Sequence, residues 1–116
     1  MKIEKNIENG KAVLAIGGRL DTTTAPELEK ELENVLSEAN ELIFDMSELE
    51  YISSAGLRVL LKAQKTMNVR GNMKVRHVNE SIMEVFEITG FLDILTIEYH
   101  QIGGNNGYKL IDNGII

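Results

Sequence analysis

The stretch "DMSELEYISSAGLRVLL" (residues 45–61) joins a strand-like run to an aliphatic helix through four small residues. Two adjacent hydroxyls, Ser53 and Ser54, precede Ala55 and Gly56 at the expected start of that helix. A serine at this place is typical of an N-cap, whose oxygen accepts a backbone N–H of the first turn. Gly56 costs a helix about 1 kcal/mol relative to alanine, which indicates that something approaches it closely. The residues alone leave a capping role and a functional role open.

The chain before this stretch predicts a hairpin, a helix and a strand. Residues 3–18 predict the hairpin, with Asn9-Gly10 as its turn because both residues tolerate positive φ. Thr24 and Glu27 have the spacing of a capping box before an apolar stripe at helical spacing. The dense apolar run "ELIFDM" (41–46) predicts a strand covered on both faces, followed by a loop. Gly17 and Gly18 favour a turn or bulge over a phosphate-binding loop.

After the second helix, the chain predicts strand, helix and strand again. Residues 71–78 alternate, which predicts a strand with His77 on its inner side. The third helix starts from a cap at Asn79 or Ser81 and ends at Gly90. Residues 93–99 predict the last strand.

The resulting order β-β-α-β-α-β-α-β predicts an α/β fold, a mixed sheet of about four to five strands with helices packed on it. We expect one domain at 1–99 and, at 100–116, a Gly- and Asn-rich tail that is flexible or forms a short edge strand.

Composition excludes several functions. The net charge of −6 argues against a nucleic-acid partner, since phosphate binding needs clustered Lys and Arg. The chain has no cysteine, and its two histidines, His77 and His100, lie too far apart in sequence for a typical metal motif. We expect no metal, no cofactor and no membrane association. The N-terminus has no signal-peptide pattern, which predicts a cytoplasmic protein.

Three segments together resemble one known family. They are "GRLDTTTAPELEKEL", "LIFDMSELEYISSAGLRVLL" and "NESIMEVFEITGFLDILTI". In order and spacing they resemble the STAS domain of bacterial anti-sigma factor antagonists over roughly residues 3–98. The middle segment is the most specific, with Asp-x-Ser, a short apolar run, and Ser-x-Gly-Leu opening a helix.

The resemblance implies a regulatory binding protein rather than an enzyme. Members of the family bind an anti-sigma factor that is also a serine kinase of the GHKL ATPase type, which frees a sigma factor for transcription. The kinase phosphorylates a serine at the start of this helix and thereby ends the complex, and a PPM-type phosphatase restores it. Carried onto this chain, the phosphoacceptor is Ser54. Many relatives have an aspartate immediately before the acceptor, where this chain has Ser53.

The resemblance also implies roles for neighbouring residues. It places Asp21 beside the partner-binding face and Asp45 at the end of a buried strand, where both are expected close to the Ser54 loop. Gly56 is expected to leave clearance for the kinase, and Arg58 and Lys62 to lie on a solvent face that meets the partner. Ser53 and Ser54 complete the expected contact surface.

Two other functions stay open from the sequence. One is a STAS subunit of a different assembly, such as a lipid-transport ABC complex or a stressosome-like scaffold, in which the serine is only a cap. The other is a small enzyme that uses Ser54 with a carboxylate. "ISSAG" lacks the first glycine of a G-x-S-x-G elbow and no base is evident, which argues against this enzyme.

Overall fold

The structure, a computed structural model, describes residues 1–99. Its strands are β1 (Lys2–Glu8), β2 (Lys11–Leu20), β3 (Glu41–Ile52), β4 (Asn72–Arg76) and β5 (Ile97–Glu98). Its α-helices are α1 (Ala25–Leu36), α2 (Ser54–Arg70) and α3 (Glu80–Thr89), and a 3₁₀ turn spans Phe91–Asp93. The predicted order β-β-α-β-α-β-α-β is confirmed.

The strands form one mixed sheet in the spatial order β1-β2-β3-β4-β5. β1 and β2 are antiparallel, and the later neighbours are parallel. The predicted hairpin turn is confirmed, because Asn9 has a φ of 52° and Gly10 a φ of 80°. These are the left-handed conformations that a tight hairpin turn requires at both central residues.

β3 is the centre of the core. Leu42, Ile43 and Phe44 are buried in succession. Since successive side chains of a strand point to opposite faces, both faces of β3 are covered, as its composition predicts. α2 and α3 both pack against this strand.

β2 and β3 are longer than the sequence predicts. The expected loop after residue 46 is wrong, because β3 continues to Ile52 beside a β2 that reaches Leu20. The register between the two strands shifts at Gly17 and again at Gly18, which has a φ of 85°. The predicted bulge at these glycines is thus confirmed, with the extra residue of each shift on β3, and the pairing of the two strands continues toward the start of α2.

The region around β4 differs from the prediction at His77. β4 ends at Arg76, and His77 has a φ of 60°, so the alternation breaks and Val78 is buried instead. Of the two predicted caps of α3, Asn79 is the one found, with its Oδ1 accepting the backbone N–H of Ile82 at 2.9 Å. The left-handed Gly90 ends α3 as predicted.

The last strand is shorter than predicted. Residues 91–93 form the 3₁₀ turn, and within residues 1–99 the strand pairs with β4 at Ile97 and Glu98. The expectation for the tail, residues 100–116, lies outside the described residues. Among residues 1–99, no helix combines the length and the apolar character that a membrane crossing requires.

Candidate partner-binding site

The two adjacent serines at the start of α2 have different surroundings. Ser53 is the N-cap, and its Oγ accepts the backbone N–H of Ala55 at 3.2 Å. Its own N–H donates to the carbonyl of Leu20 at 2.9 Å, which ties the start of α2 to the end of β2. Ser54 is the first residue of the helix and is exposed. Its hydroxyl has no hydrogen-bond partner among residues 1–99 and faces solvent.

Gly56 has a packing role that the sequence does not reveal. It is buried, and a Cβ added there would lie 2.6 Å from Cγ of Leu20 and 2.9 Å from Cγ1 of Ile52. The close approach inferred from the sequence therefore comes from the core below the helix. The expected role of Gly56 as clearance at the partner surface is corrected: it is a packing residue that lets α2 sit on β2 and β3.

Asp21 organises the turn between β2 and α1. Its Oδ1 accepts the backbone N–H groups of Thr23 at 3.0 Å and Thr24 at 3.1 Å. The hydrogen bond from Thr24 is the main reason that the pKa of Asp21 lies below its ordinary value, so the carboxylate is charged at neutral pH. The predicted capping box of Thr24 with Glu27 is wrong, because the Thr24 hydroxyl instead accepts the N–H of Asp21 at 2.9 Å.

Arg19 and Tyr51 extend this site, and the sequence analysis misses both. The Arg19 guanidinium lies over the Tyr51 ring, 4.1 Å from its centroid, and its Nε lies 3.6 Å from Oδ2 of Asp21. Tyr51 is 41% exposed. The two residues are partners in the β2–β3 register. No local sequence signal predicts that register past the bulge, because the shifts at the glycines change which residues pair.

Asp45 holds the end of β4. Its Oδ1 accepts the N–H of Ser47 at 3.0 Å, while its Oδ2 lies 3.3 Å from Nε of Arg76 and 3.0 Å from Nδ1 of His77. Burial raises the pKa of Asp45, but the hydrogen bonds from Ser47 and His77 outweigh it, and the pKa is below its ordinary value.

The expected support of the Ser54 loop by Asp45 is therefore wrong. Asp45 pairs with Ala15 in the sheet, whereas Asp21 and Ser54 lie beyond the end of β2 at Leu20. At about 3.3 Å per residue, five residues of strand separate these two places by about 16 Å. Asp21 and Asp45 are thus not neighbours, and of these two carboxylates Asp21 is the one near the serines.

A groove of ≈ 390 Å³ lies between α1 and α2, beginning at Ala55. Arg58 is exposed on its rim, as the sequence analysis expects. Further along α2 the groove is lined by Lys62, which the sequence places on the same solvent face as Arg58, and by Lys65, which no sequence expectation assigns to the site. Their spacing from Arg58, four and seven residues, is the signal that places all three on one helix face.

Comparison with known proteins identifies the family. A family model described as the STAS domain matches residues 2–101. The chain belongs to the STAS domain family.

Curated relatives of this STAS domain carry names of one kind. BtrV of Bordetella bronchiseptica, provisionally named an anti-sigma factor antagonist, is 34% identical over 99 residues, which cover 84% of this chain and 85% of that protein. The anti-sigma-B factor antagonist of Listeria monocytogenes is 33% identical over 95 residues, covering 78% of this chain and 83% of that protein.

Solved STAS structures share the fold. An anti-sigma factor antagonist from Mycobacterium paratuberculosis superposes with a TM-score of 0.76 at 22% identity, covering 83% of each chain. SpoIIAA, another antagonist, has been solved in an unphosphorylated form, with a TM-score of 0.69 at 12% identity over 86% of this chain and 90% of that one. It has also been solved in a phosphorylated form, described as a Bacillus cell fate determinant.

In this STAS domain, the edge of the sheet where β2 and β3 end brings together Asp21, Ser53 and Ser54. Arg58 follows Ser54 by one helical turn. Within residues 1–99, no group of three or more His, Cys, Asp or Glu side chains is placed to hold a metal ion. The assembled chemistry is an exposed hydroxyl at a helix N-terminus, beside a carboxylate and a basic groove.

Proposed function

We propose that this STAS domain is an anti-sigma factor antagonist whose binding is switched by phosphorylation of Ser54. Its partner is an anti-sigma factor that is also a GHKL-type serine kinase, and a PPM-type phosphatase reverses the modification. The names of the curated relatives support the antagonist role. The two solved forms of SpoIIAA support phosphorylation as the switch.

The observation that carries the proposal is the difference in hydrogen bonding and exposure between Ser53 and Ser54. Ser53 is engaged in capping, whereas the Ser54 hydroxyl is exposed and unbonded within the described part of the chain. Removal of the Ser54 proton during phosphoryl transfer therefore breaks no hydrogen bond that the fold uses. The proposal also explains why a chain without an aspartate before the acceptor can function, since Ser53 supplies the cap that an aspartate would supply.

The charge near Ser54 explains how the phosphate acts. A phosphate adds about −1.5 to −2 charge, and the N-terminus of α2 tolerates it because the helix dipole favours an anion there. The fold should therefore survive. The phosphate lies at the same end of the sheet as the charged Asp21. A partner surface that accommodates the Asp21 carboxylate therefore has to accommodate a second negative group, the phosphate, after modification. Like-charge contacts across an interface cost several kcal/mol, enough to separate the complex.

The test is incubation of the purified protein with its cognate anti-sigma kinase and ATP, followed by mass spectrometry of intact protein and fragments. We expect one phosphate, on Ser54, and none on Ser54→Ala. Ser53→Ala should still be modified. A phosphate mapped to Ser53, or undiminished incorporation into Ser54→Ala, contradicts the site. Copurification from the host with an ABC-type ATPase, and with no kinase, favours the alternative STAS assembly.

A further inference from the structure

The groove between α1 and α2 combines an apolar floor with unpaired positive charge. Ala25 and Val59, which line it, are 5% and 6% exposed and belong to the hydrophobic core, so the floor of the groove is part of that core. On its rim, Lys62 pairs with Glu29, with Nζ and Oε2 3.0 Å apart. Arg58 and Lys65 have no ion-pair partner among residues 1–99.

This positive charge is concentrated on one helix of an acidic protein. The chain has a net charge of −6, yet α2, "SAGLRVLLKAQKTMNVR", contains four basic residues and no acidic one. The neighbouring helix α1, "APELEKELENVL", contains four glutamates and one lysine. An exposed basic stripe beside an apolar surface favours an anionic occupant that also has apolar groups.

The spacing of the unpaired cations distinguishes between kinds of anion. Arg58 and Lys65 are seven residues apart, which at 1.5 Å per residue places them about 10 Å apart along the helix axis. A single phosphate group is too small to bridge that distance. Two carboxylates two helical turns apart on a polypeptide match it, with an apolar side chain between them for the groove floor.

From these observations we propose that the groove between α1 and α2 is a second docking surface, which receives an acidic amphipathic segment of the partner kinase. The proposal rests on the proposed function. It adds that the partner is held at two places. One is the end of the sheet where Asp21, Ser53 and Ser54 lie, and the other is the groove; the two meet at Ala55 and Arg58. The groove therefore contributes affinity and orientation, while Ser54 is the group that is modified.

The test compares two double variants with the same change in net charge. Lys62→Glu/Lys65→Glu reverses the two groove cations that lie further along α2 and keeps Arg58, which both places share, whereas Lys30→Glu/Arg70→Glu reverses two exposed cations that do not line the groove. Circular dichroism and thermal melting establish that each variant is folded. Titration calorimetry with the purified kinase then gives Kd at low and at moderate salt.

We expect the groove variant to bind the kinase at least about 10-fold more weakly than the control variant, since like charges then face the acidic segment. Its Kd should also depend less steeply on salt concentration than that of the wild type. For phosphorylation of Ser54, the KM should rise while kcat stays close to the wild-type value, as expected when only binding is lost.

Equal affinities of the two double variants overturn the docking surface while leaving the proposed function intact. A wild-type protein that neither binds the kinase nor is phosphorylated overturns both. A third measurement tests whether a small molecule, and not a segment of the kinase, binds in the groove. The isolated protein is titrated with ATP and followed by NMR. Saturable shifts confined to the groove, together with an unchanged kinase affinity of the groove variant, also overturn the proposal.

Discussion

At the start of α2, two side chains of the same chemistry have separate tasks. The Ser53 oxygen accepts one backbone N–H of the first helical turn, and the Ser54 side chain is exposed. The sequence predicts that a serine caps this helix, because four small residues before an aliphatic stripe have that signature. It does not predict which of the two serines is the cap. If the helix started one residue later, Ser54 would be the cap and Ser53 would lie outside the helix.

Capping by Ser53 predicts a difference in stability between two alanine variants. Ser53→Ala should lower the free energy of unfolding by about 1 kcal/mol, because an N–H of the first turn loses its acceptor. Ser54→Ala should lower it by less than about 0.5 kcal/mol, as is usual for an exposed site without contacts. Urea denaturation followed by circular dichroism measures both. Equal losses would show that the two hydroxyls share the cap.

The close packing of Gly56 against the core can be tested by adding a single methyl group. Alanine is the better helix former, yet Gly56→Ala should destabilise the protein by about 1–3 kcal/mol, because its Cβ is forced against Leu20 and Ile52. The same denaturation experiment measures the change. The Leu20→Ala variant supplies the control background, since it lacks the Cγ that the new Cβ would meet, and Gly56→Ala should cost less stability there than in the wild type. A stabilised Gly56→Ala would refute the packing role.

At the scale of elements, β2 and β3 determine the site more than the helices do. Their pairing continues past the glycine bulge to Leu20 and Ile52, and this places Arg19 over Tyr51 and Asp21 beside the serines. The presence and order of these elements are predictable from hydrophobic periodicity. The extension of both strands is not predictable in this way, because "SELEYI" has strand character only when it pairs with β2 past the bulge.

Asp45 connects β3 to the end of β4 and predicts a pH dependence. Its pKa is lowered in the folded protein, so the unfolded chain binds this proton more tightly. The stabilisation is therefore complete above the ordinary pKa of 3.8 and is lost as the pH falls through the folded value. We expect the unfolding free energy of the wild type to fall more between about pH 6 and pH 3 than that of Asp45→Asn.

Denaturation series across this pH range measure the effect. Asp93→Asn is a matched control, because Asp93 is exposed at the 3₁₀ turn. The difference from the wild type should be larger for Asp45→Asn than for this control. Parallel profiles for Asp45→Asn and the wild type would show that Asp45 does not stabilise the junction between β3 and β4.

At the scale of the whole molecule, the residues of the candidate site lie together where β2 and β3 end. β2 and β3 end together there and α2 begins, so residues far apart in sequence form one surface. The resemblance of three sequence segments to one family predicts this surface at Asp21, Ser53, Ser54 and Arg58. It places Asp45 wrongly, because the end of an apolar run does not mark the end of a strand that continues through a bulge.

A negative charge at residue 54 should weaken binding of the kinase and leave the fold intact. Ser54→Asp should melt within a few degrees of the wild type, because an anion is tolerated at a helix N-terminus. It should bind the kinase about 10- to 100-fold more weakly. Ser81→Asp is the matched control, since Ser81 is an exposed serine in the first turn of α3. Comparable weakening by both variants would attribute the effect to net charge alone.

The hydrogen bond from the Ser53 N–H to the Leu20 carbonyl has a consequence for quality control in the cell. It ties the helix start that carries Ser54, the proposed acceptor, to the end of β2. Under the proposed function, the kinase therefore meets Ser54 in a folded conformation that a short peptide of the same sequence does not hold. We accordingly expect unfolded copies of the chain to be poorer substrates of that kinase than folded copies.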